Sequence, residues 1–368
     1  MTTSEDTSSY RPKPSLAASR VGEIDLLRFI AAMLVVLFHY TFRGHAASNY
    51  SLNAYPAIAP LTKYGYLGVE LFFLISGFVI LMTASSGSLQ KFVASRVARL
   101  YPAFWVCCMM TFSAILFFGN DRFAATVQQF LVNLTMLHEF VNVRSIDGVY
   151  WSLAVELKFY FLVALVLLFR QIERAEWFLG LWLVASIILE FIPVPRLRSW
   201  LIIDYAPYFA AGAICFLAYS RGWSWSKVFI IGVALVLALL GAMKSIESLE
   251  KTFSTAFDIG LIALLTCGIF GVMVLVASKK TAFLARRSWL VVGALTYPLY
   301  LIHQYIGYML LNAMHTYMNV YVALCLVVTF MLFMAYAVNR LIEKPFSKPL
   351  QLFTGRALAK ISILFTPK

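Results

Sequence analysis

Apolar runs long enough to cross a bilayer recur along this chain, near residues 24–42, 67–83, 100–119, 150–169, 176–192, 200–219, 227–243, 257–277, 289–311 and 320–340. Crossing the hydrocarbon takes about 20 consecutive, mostly apolar residues. No water satisfies backbone N–H and C=O groups there, so runs of this length and continuity must be helices. The expected fold class is an all-α polytopic membrane protein of about ten transmembrane helices. Composition agrees: 61% of the 368 residues are hydrophobic and only 13% are charged. Segment 123–141, with Gln128, Gln129, Asn133, His138 and Glu139, reads as an extramembrane or interfacial helix. If it spanned, the topology beyond it would invert.

Positive residues concentrate on the cytoplasmic side of membrane proteins. The N-terminal tail, 84–99, 170–175, 220–227, 278–288 and the C-terminal tail hold 20 of the 30 Lys and Arg, and the alternate loops hold 8. Both termini are therefore expected in the cytoplasm. The net charge of +13 then follows from the inside rule and anionic membrane lipids, and calls for no nucleic acid. Residues 1–23, rich in Ser, Thr and Pro, read as a disordered cytoplasmic tail. Residues 24–345 read as one membrane domain, and 346–368 as a cytoplasmic or interfacial tail. Phe29–Phe42 followed by Ala46, Ala47 and Ser48 has the outline of a signal peptide, but Glu23, Asp25 and His39 are poor chemistry for one. Cys107, Cys108, Cys215, Cys267 and Cys325 all fall in predicted spans without CxxC spacing. They read as packing residues, not as disulfides or metal ligands. The absence of a clear internal repeat disfavours the inverted-repeat transporter folds.

Two ionisable residues interrupt the first apolar run, Arg28 and His39. Eleven helical steps bring His39 to within roughly 20° of the Arg28 direction, about 16 Å further along the axis. Such a face points into the protein or a wet cavity, which makes both residues functional candidates. Asp25 lies three residues before Arg28, so a local ion pair is the competing reading.

Glu70 and Glu156 lie at a depth similar to that of His39 in their own predicted spans. Two carboxylates and an imidazole at one level can form a base with an orienting acid, the arrangement that takes a proton from a hydroxyl near neutral pH. A polar packing network is the alternative. Lys158 is two residues from Glu156 on nearly the opposite side of the helix, so its partner lies elsewhere. His303, after Pro298, reads equally as cavity-lining or as a core histidine. On the cytoplasmic side Arg96 and Arg99 share a helical face that can hold phosphates, although positive-inside topology alone also places arginines there.

The ten-residue interval between Arg28 and His39, Phe72-Phe73-Leu-Ile-Ser76-Gly77, Arg96-Val-Ala-Arg99 and Trp151-Ser152-Leu-Ala-Val-Glu156 occur in this order on successive spans. In these features the chain resembles the acyltransferase type 3 family of bacterial membrane proteins. The similarity extends to Tyr297-Pro298-Leu-Tyr300-Leu-Ile-His303 and Glu343-Lys344-Pro345. The resemblance implies a multi-pass protein of the bacterial inner membrane that moves an acyl group from cytoplasmic acyl-CoA to a hydroxyl of an extracytoplasmic glycan. The donor would be acetyl-CoA first, with succinyl or longer chains open. The acceptor would be a glycan or lipid-linked saccharide such as O-antigen, capsule, exopolysaccharide, periplasmic glucan or oligosaccharide, or a macrolide-like small molecule. It implies no permanently bound cofactor. The fused hydrolase-like domain of some members has no counterpart here, which leaves such activity to separate envelope-glycan proteins.

On this reading Arg96 and Arg99 hold the CoA phosphates, the pantetheine arm passes Arg28, and His39 is the general base with Glu156 orienting it. Ser76 is either a donor-site residue, a covalent nucleophile or a packing residue beside Gly77. Two other classes compete: a secondary transporter or glycan exporter using the buried Arg, His and Glu as an ion pathway, and a non-catalytic scaffold.

Overall fold

The computed structural model describes residues 21–47, 49–192 and 194–364, and the expected disordered tail lies almost wholly outside them. The described residues are helical with no strand. The long helices are α1 (Gly22–Phe38), α2 (Leu67–Ala84), α3 (Leu89–Phe118), α4 (Trp151–Leu168), α5 (Ala175–Phe191), α6 (Ala206–Arg221), α7 (Trp225–Phe253), α8 (Ile259–Ala277), α9 (Trp289–Met314), α10 (Val320–Val338) and α11 (Lys344–Leu364). Among the described residues, seven segments are long and apolar enough to cross a membrane: those built on α1, α2, α3, α4, α7, α8 and α10. Helices α5, α6 and α9 pack among them. Large apolar side chains such as Phe117, Phe161, Leu264 and Phe333 face outward, as a lipid-facing surface requires. The chain is a multi-pass membrane protein.

Local chemistry sets several helix starts. Glu23 and Asp25 sit in the first turn of α1, where the helix dipole favours acids. Ser88, Ser224 and Asp258 cap α3, α7 and α8 by accepting from Lys91 N, Lys227 N and Leu261 N. Helix α3 has 30 residues and begins well before its apolar run, so Arg96 and Arg99 ride on its N-terminal turns. Helix α7 continues past its apolar run to Phe253, because its last turns carry Lys244, Glu247, Glu250 and Lys251. The interfacial segment does not span: its one α-helix, Val127–Asn133, has seven residues, about 10 Å. Within the C-terminal segment, α11 runs to Leu364 and packs along α3.

Helix α2 forms the middle of the bundle, against α1, α4 and α6. A Cβ on Gly77 would sit 2.1 Å from Phe209 O, and one on Gly212 1.8 Å from Leu74 O. These glycines let the backbones of α2 and α6 touch, the small-residue packing that replaces hydrophobic drive between membrane helices. Phe209 then stacks on Phe73 at 4.9 Å and Phe159 at 4.3 Å, locking α4 beside the same crossing.

Candidate active site

Two helices leave regular α geometry where polar residues gather. A π-helical turn, His39–Arg43, continues α1, and another, Asn339–Glu343, joins α10 to α11. Such turns shift the helical register and recur at functional sites. Here they re-aim His39 and Arg43 at one level of the bundle, and Asn339 and Glu343 at another.

The lower level is a vestibule of about 450 Å³ between α1, α2, α3, α9 and the second π turn. Arg28, Arg96 and Arg99 line it, and the same three side chains line a smaller cavity of about 90 Å³ above it. By the measure in which one water needs about 15 Å³, the upper cavity has room for about six water-sized groups. Arg99 is ion-paired with Glu343 and lies 5.3 Å over the Tyr297 ring. Arg96 donates to Thr83 Oγ1 at 3.3 Å and lies 5.8 Å over Tyr160. Asp25 is buried, its carboxylate turned against Gly293 of α9.

Glu156, Ser76 and Tyr160 line the upper cavity. Ser76 Oγ donates to Glu156 Oε1 at 3.0 Å, and Tyr160 OH donates to the same oxygen at 2.9 Å. A hydrogen bond of 2.7 Å between Ser152 Oγ and Tyr300 OH roofs the cavity.

One turn above Tyr300 on α9, His303 meets His39, their rings 4.9 Å apart and inclined at 69°. The contact runs from His303 Nε2 to His39 Nδ1 at 3.2 Å. Each ring also faces a carbonyl: His39 Nδ1 lies 2.8 Å from Val35 O, and His303 Nδ1 lies 2.9 Å from Tyr300 O. A carbonyl only accepts, so both Nδ1 atoms carry protons. His303 Nε2 is then a lone pair facing the His39 N–H. His39 Nε2 is also a lone pair, without a hydrogen-bond partner among the described residues. Tyr40 OH donates to His303 O at 2.7 Å and fastens α9 to α1 at this level.

The structure brings together Arg28, Arg96, Arg99, Ser76 and Glu156, and separates Glu156 from His39. Glu156 was expected to orient His39; the imidazole instead meets His303. The reason is the start of α4. Asp147 is fully buried and accepts from Val149 N at 3.2 Å and Tyr305 N at 3.1 Å, which draws the beginning of α4 into the bundle instead of leaving it at the interface. Ser152 is level with Tyr300; Glu156 lies one turn further in and His303 one turn further out, which puts them about 10 Å apart along the axis. Glu70 also turns away from His39, into a cleft beside α6. Lys158 finds its partners in two short helical segments, at Glu139 Oε1 in His138–Val141 and Ser199 Oγ in Pro195–Trp200, both 3.2 Å away.

Sequence reasoning left His303 undecided, yet a signal was present. His39 lies 17 residues beyond Gly22 and His303 14 residues beyond Trp289, about 25 and 21 Å along helices of the same direction. Tyr160, Tyr297 and Tyr300 carried no signal apart from their neighbours. Among the described residues no group of three or more His, Cys, Asp or Glu is placed to hold a metal ion.

A family profile described as an acyltransferase domain matches residues 21–350. A protein of Acidianus two-tailed virus named as an acetyltransferase is 26% identical over 196 residues, covering 49% of this chain and 59% of that protein. A protein of Shigella phage Sf6 named O-acetyl transferase is 25% identical over 232 residues, covering 58% of this chain and 67% of its own length. The chain thus spans about three fifths to two thirds of these relatives. No solved structure matches it significantly.

Proposed function

Since the chain belongs to the acyltransferase type 3 family, its profile covering residues 21–350, we propose that it is a membrane-bound O-acetyltransferase. It would take the acyl group from cytoplasmic acetyl-CoA and place it on a hydroxyl of an extracytoplasmic carbohydrate. The observation that carries this reading is one row of arginines, Arg28, Arg96 and Arg99, shared by a wide vestibule and a small upper cavity one turn beneath an imidazole pair.

Three guanidiniums suit the phosphates of CoA, which they can hold through paired N–H donors. On binding, phosphate would compete with Glu343 for Arg99. From Arg28 to His39 is about 16 Å along α1, a distance for an extended pantetheine arm. Ser76, Tyr160 and Glu156 would line its path, and the Ser152–Tyr300 bond would open to admit the thioester to the histidines.

In the reaction, His39 Nε2 takes the proton of the acceptor hydroxyl as that oxygen attacks the thioester carbonyl. The C–S bond breaks, and the proton passes to the departing CoA sulfur. Meanwhile the imidazolium of His39 keeps its Nδ1–H directed at the lone pair of His303, which stabilises the charge where it develops. No protein nucleophile is required.

In this reading about ten helices cross a bacterial inner membrane, both termini are cytoplasmic, and the 20-to-8 split of Lys and Arg supports that orientation. The acceptor would be O-antigen, exopolysaccharide or an oligosaccharide, delivered with other envelope-glycan proteins. The test is mass spectrometry of surface and secreted glycans from cells expressing wild type, no protein, or His39→Ala at equal level. An alkali-labile acetyl increment is expected with wild type alone. An increment persisting with His39→Ala would remove His39 from the reaction, and its absence with membrane-inserted wild type would refute the transferase.

A further inference from the structure

A second cleft, separate from the arginine vestibule, opens on the His39 side of the bundle between α2, α5, α6 and α7, with a volume of about 430 Å³. That falls in the range of small-molecule sites. Its inner wall is Glu70 with Tyr66, Tyr205 and Tyr208. Glu70 Oε2 is buried and lacks a hydrogen-bond partner, although buried polar atoms are nearly always satisfied. An acceptor oxygen in that condition calls for a donor from a ligand.

The rim selects the kind of ligand. Its charged side chains form a chain of ion pairs: Lys244 with Glu190, Glu190 with Arg198 at 3.1 Å, and Arg198 with Asp204 at 2.7 Å. Each cation there is matched, so the rim offers no surplus positive charge for phosphate, in contrast to the arginine vestibule. What remains is a hydrogen-bond acceptor among aromatic rings. A pyranose fits this chemistry: its hydroxyls donate to a carboxyl oxygen and its C–H face packs on a tyrosine ring.

Two ring contacts connect the cleft to the imidazole pair: the His39 ring lies 5.2 Å from Phe38, and Phe38 lies 6.0 Å from Tyr66 in the cleft wall.

We propose that this cleft binds one or two sugar rings of the acceptor, with Glu70 as the residue that recognises a sugar hydroxyl and the tyrosines as its stacking wall. The purpose of the site rests on the acetyltransferase reading, but its occupancy is tested separately.

The experiment is saturation-transfer NMR on the full chain in lipid nanodiscs, using methyl glycosides of glucose, galactose, mannose, rhamnose and N-acetylglucosamine as probes. At least one glycoside should receive saturation from wild type. Glu70→Gln, close to isosteric, should weaken it about tenfold, the loss of roughly one good hydrogen bond. Ser245→Trp, an exposed rim position where the indole would fill the mouth, should abolish it, and His39→Ala should leave it intact. Failure of all five glycosides to bind, or binding indifferent to Glu70→Gln and Ser245→Trp, would overturn the proposal. Normal glycoside binding by a protein that never acetylates glycan would instead sink the transferase reading and leave the cleft standing.

Discussion

The imidazole pair makes a quantitative prediction. His39 Nδ1–H is shared between Val35 O at 2.8 Å and His303 Nε2 at 3.2 Å. Removing His303 therefore leaves the His39 tautomer in place, still held by the carbonyl, and takes away only the second acceptor. A hydrogen bond between neutral groups contributes about 1 kcal/mol, and one to a charged group about 1.5–3 kcal/mol. The difference, about 0.5–2 kcal/mol, appears only when His39 becomes cationic in the transition state. By the rate relation it is worth about 2- to 30-fold in kcat. The length of 3.2 Å, at the long end of the normal range, argues for the lower half of that interval. His39→Ala removes the base itself and should cost about 10²- to 10⁴-fold. The assay is the initial rate of acetyl transfer from labelled acetyl-CoA into glycan in membranes of matched protein content. His303→Ala should lower kcat by about fivefold with KM for acetyl-CoA unchanged. His303→Gln, whose carbonyl can accept the same N–H, should restore most of it. Rates within twofold of wild type for His303→Ala would refute the pairing. A loss as deep as that of His39→Ala, without rescue by Gln, would show that His303 does more than support its neighbour.

Two further outcomes follow. Ser76→Ala removes a donor to Glu156 in the upper cavity; it should raise KM for acetyl-CoA a few-fold, the worth of about one hydrogen bond, and leave kcat nearly intact, whereas an acyl group trapped on Ser76 by rapid quench and peptide mass spectrometry would replace direct transfer with a covalent route. Asp147, in the loop before α4, has its carboxyl pushed up to about 7 by burial, against two backbone N–H donors that pull the other way. A raised carboxyl contributes stability that is present below the ordinary carboxylate range, near 4, and is lost as pH rises toward 7, with a slope of at most about 1.4 kcal/mol per pH unit. Wild type in detergent should therefore lose Tm between pH 5 and 7 relative to Asp147→Asn, which cannot ionise; parallel curves would contradict the shift.

Much of this arrangement was legible before any coordinates. Apolar runs located the helices because the bilayer leaves little choice, and the eleven-residue step from Arg28 to His39 placed both on one face because α1 is regular up to its π turn. What escaped depends on where a helix begins relative to its neighbours. Depth was counted from the end of each apolar run, which assumes that the run starts at the membrane surface. For α1 and α9 this holds well enough to align His39 with His303. For α4 it fails: Asp147 is tied to a backbone N–H of α9, 158 residues away, and Glu156 shares a cavity with the three arginines. The miscount separates Glu156 from the imidazoles: two imidazoles share one N–H, and the carboxylate lies about 10 Å away along the axis, in the cavity that the three arginines line. On the proposed reaction, this spacing would let a donor whose charge stays with the arginines place a neutral acyl group beside the acceptor.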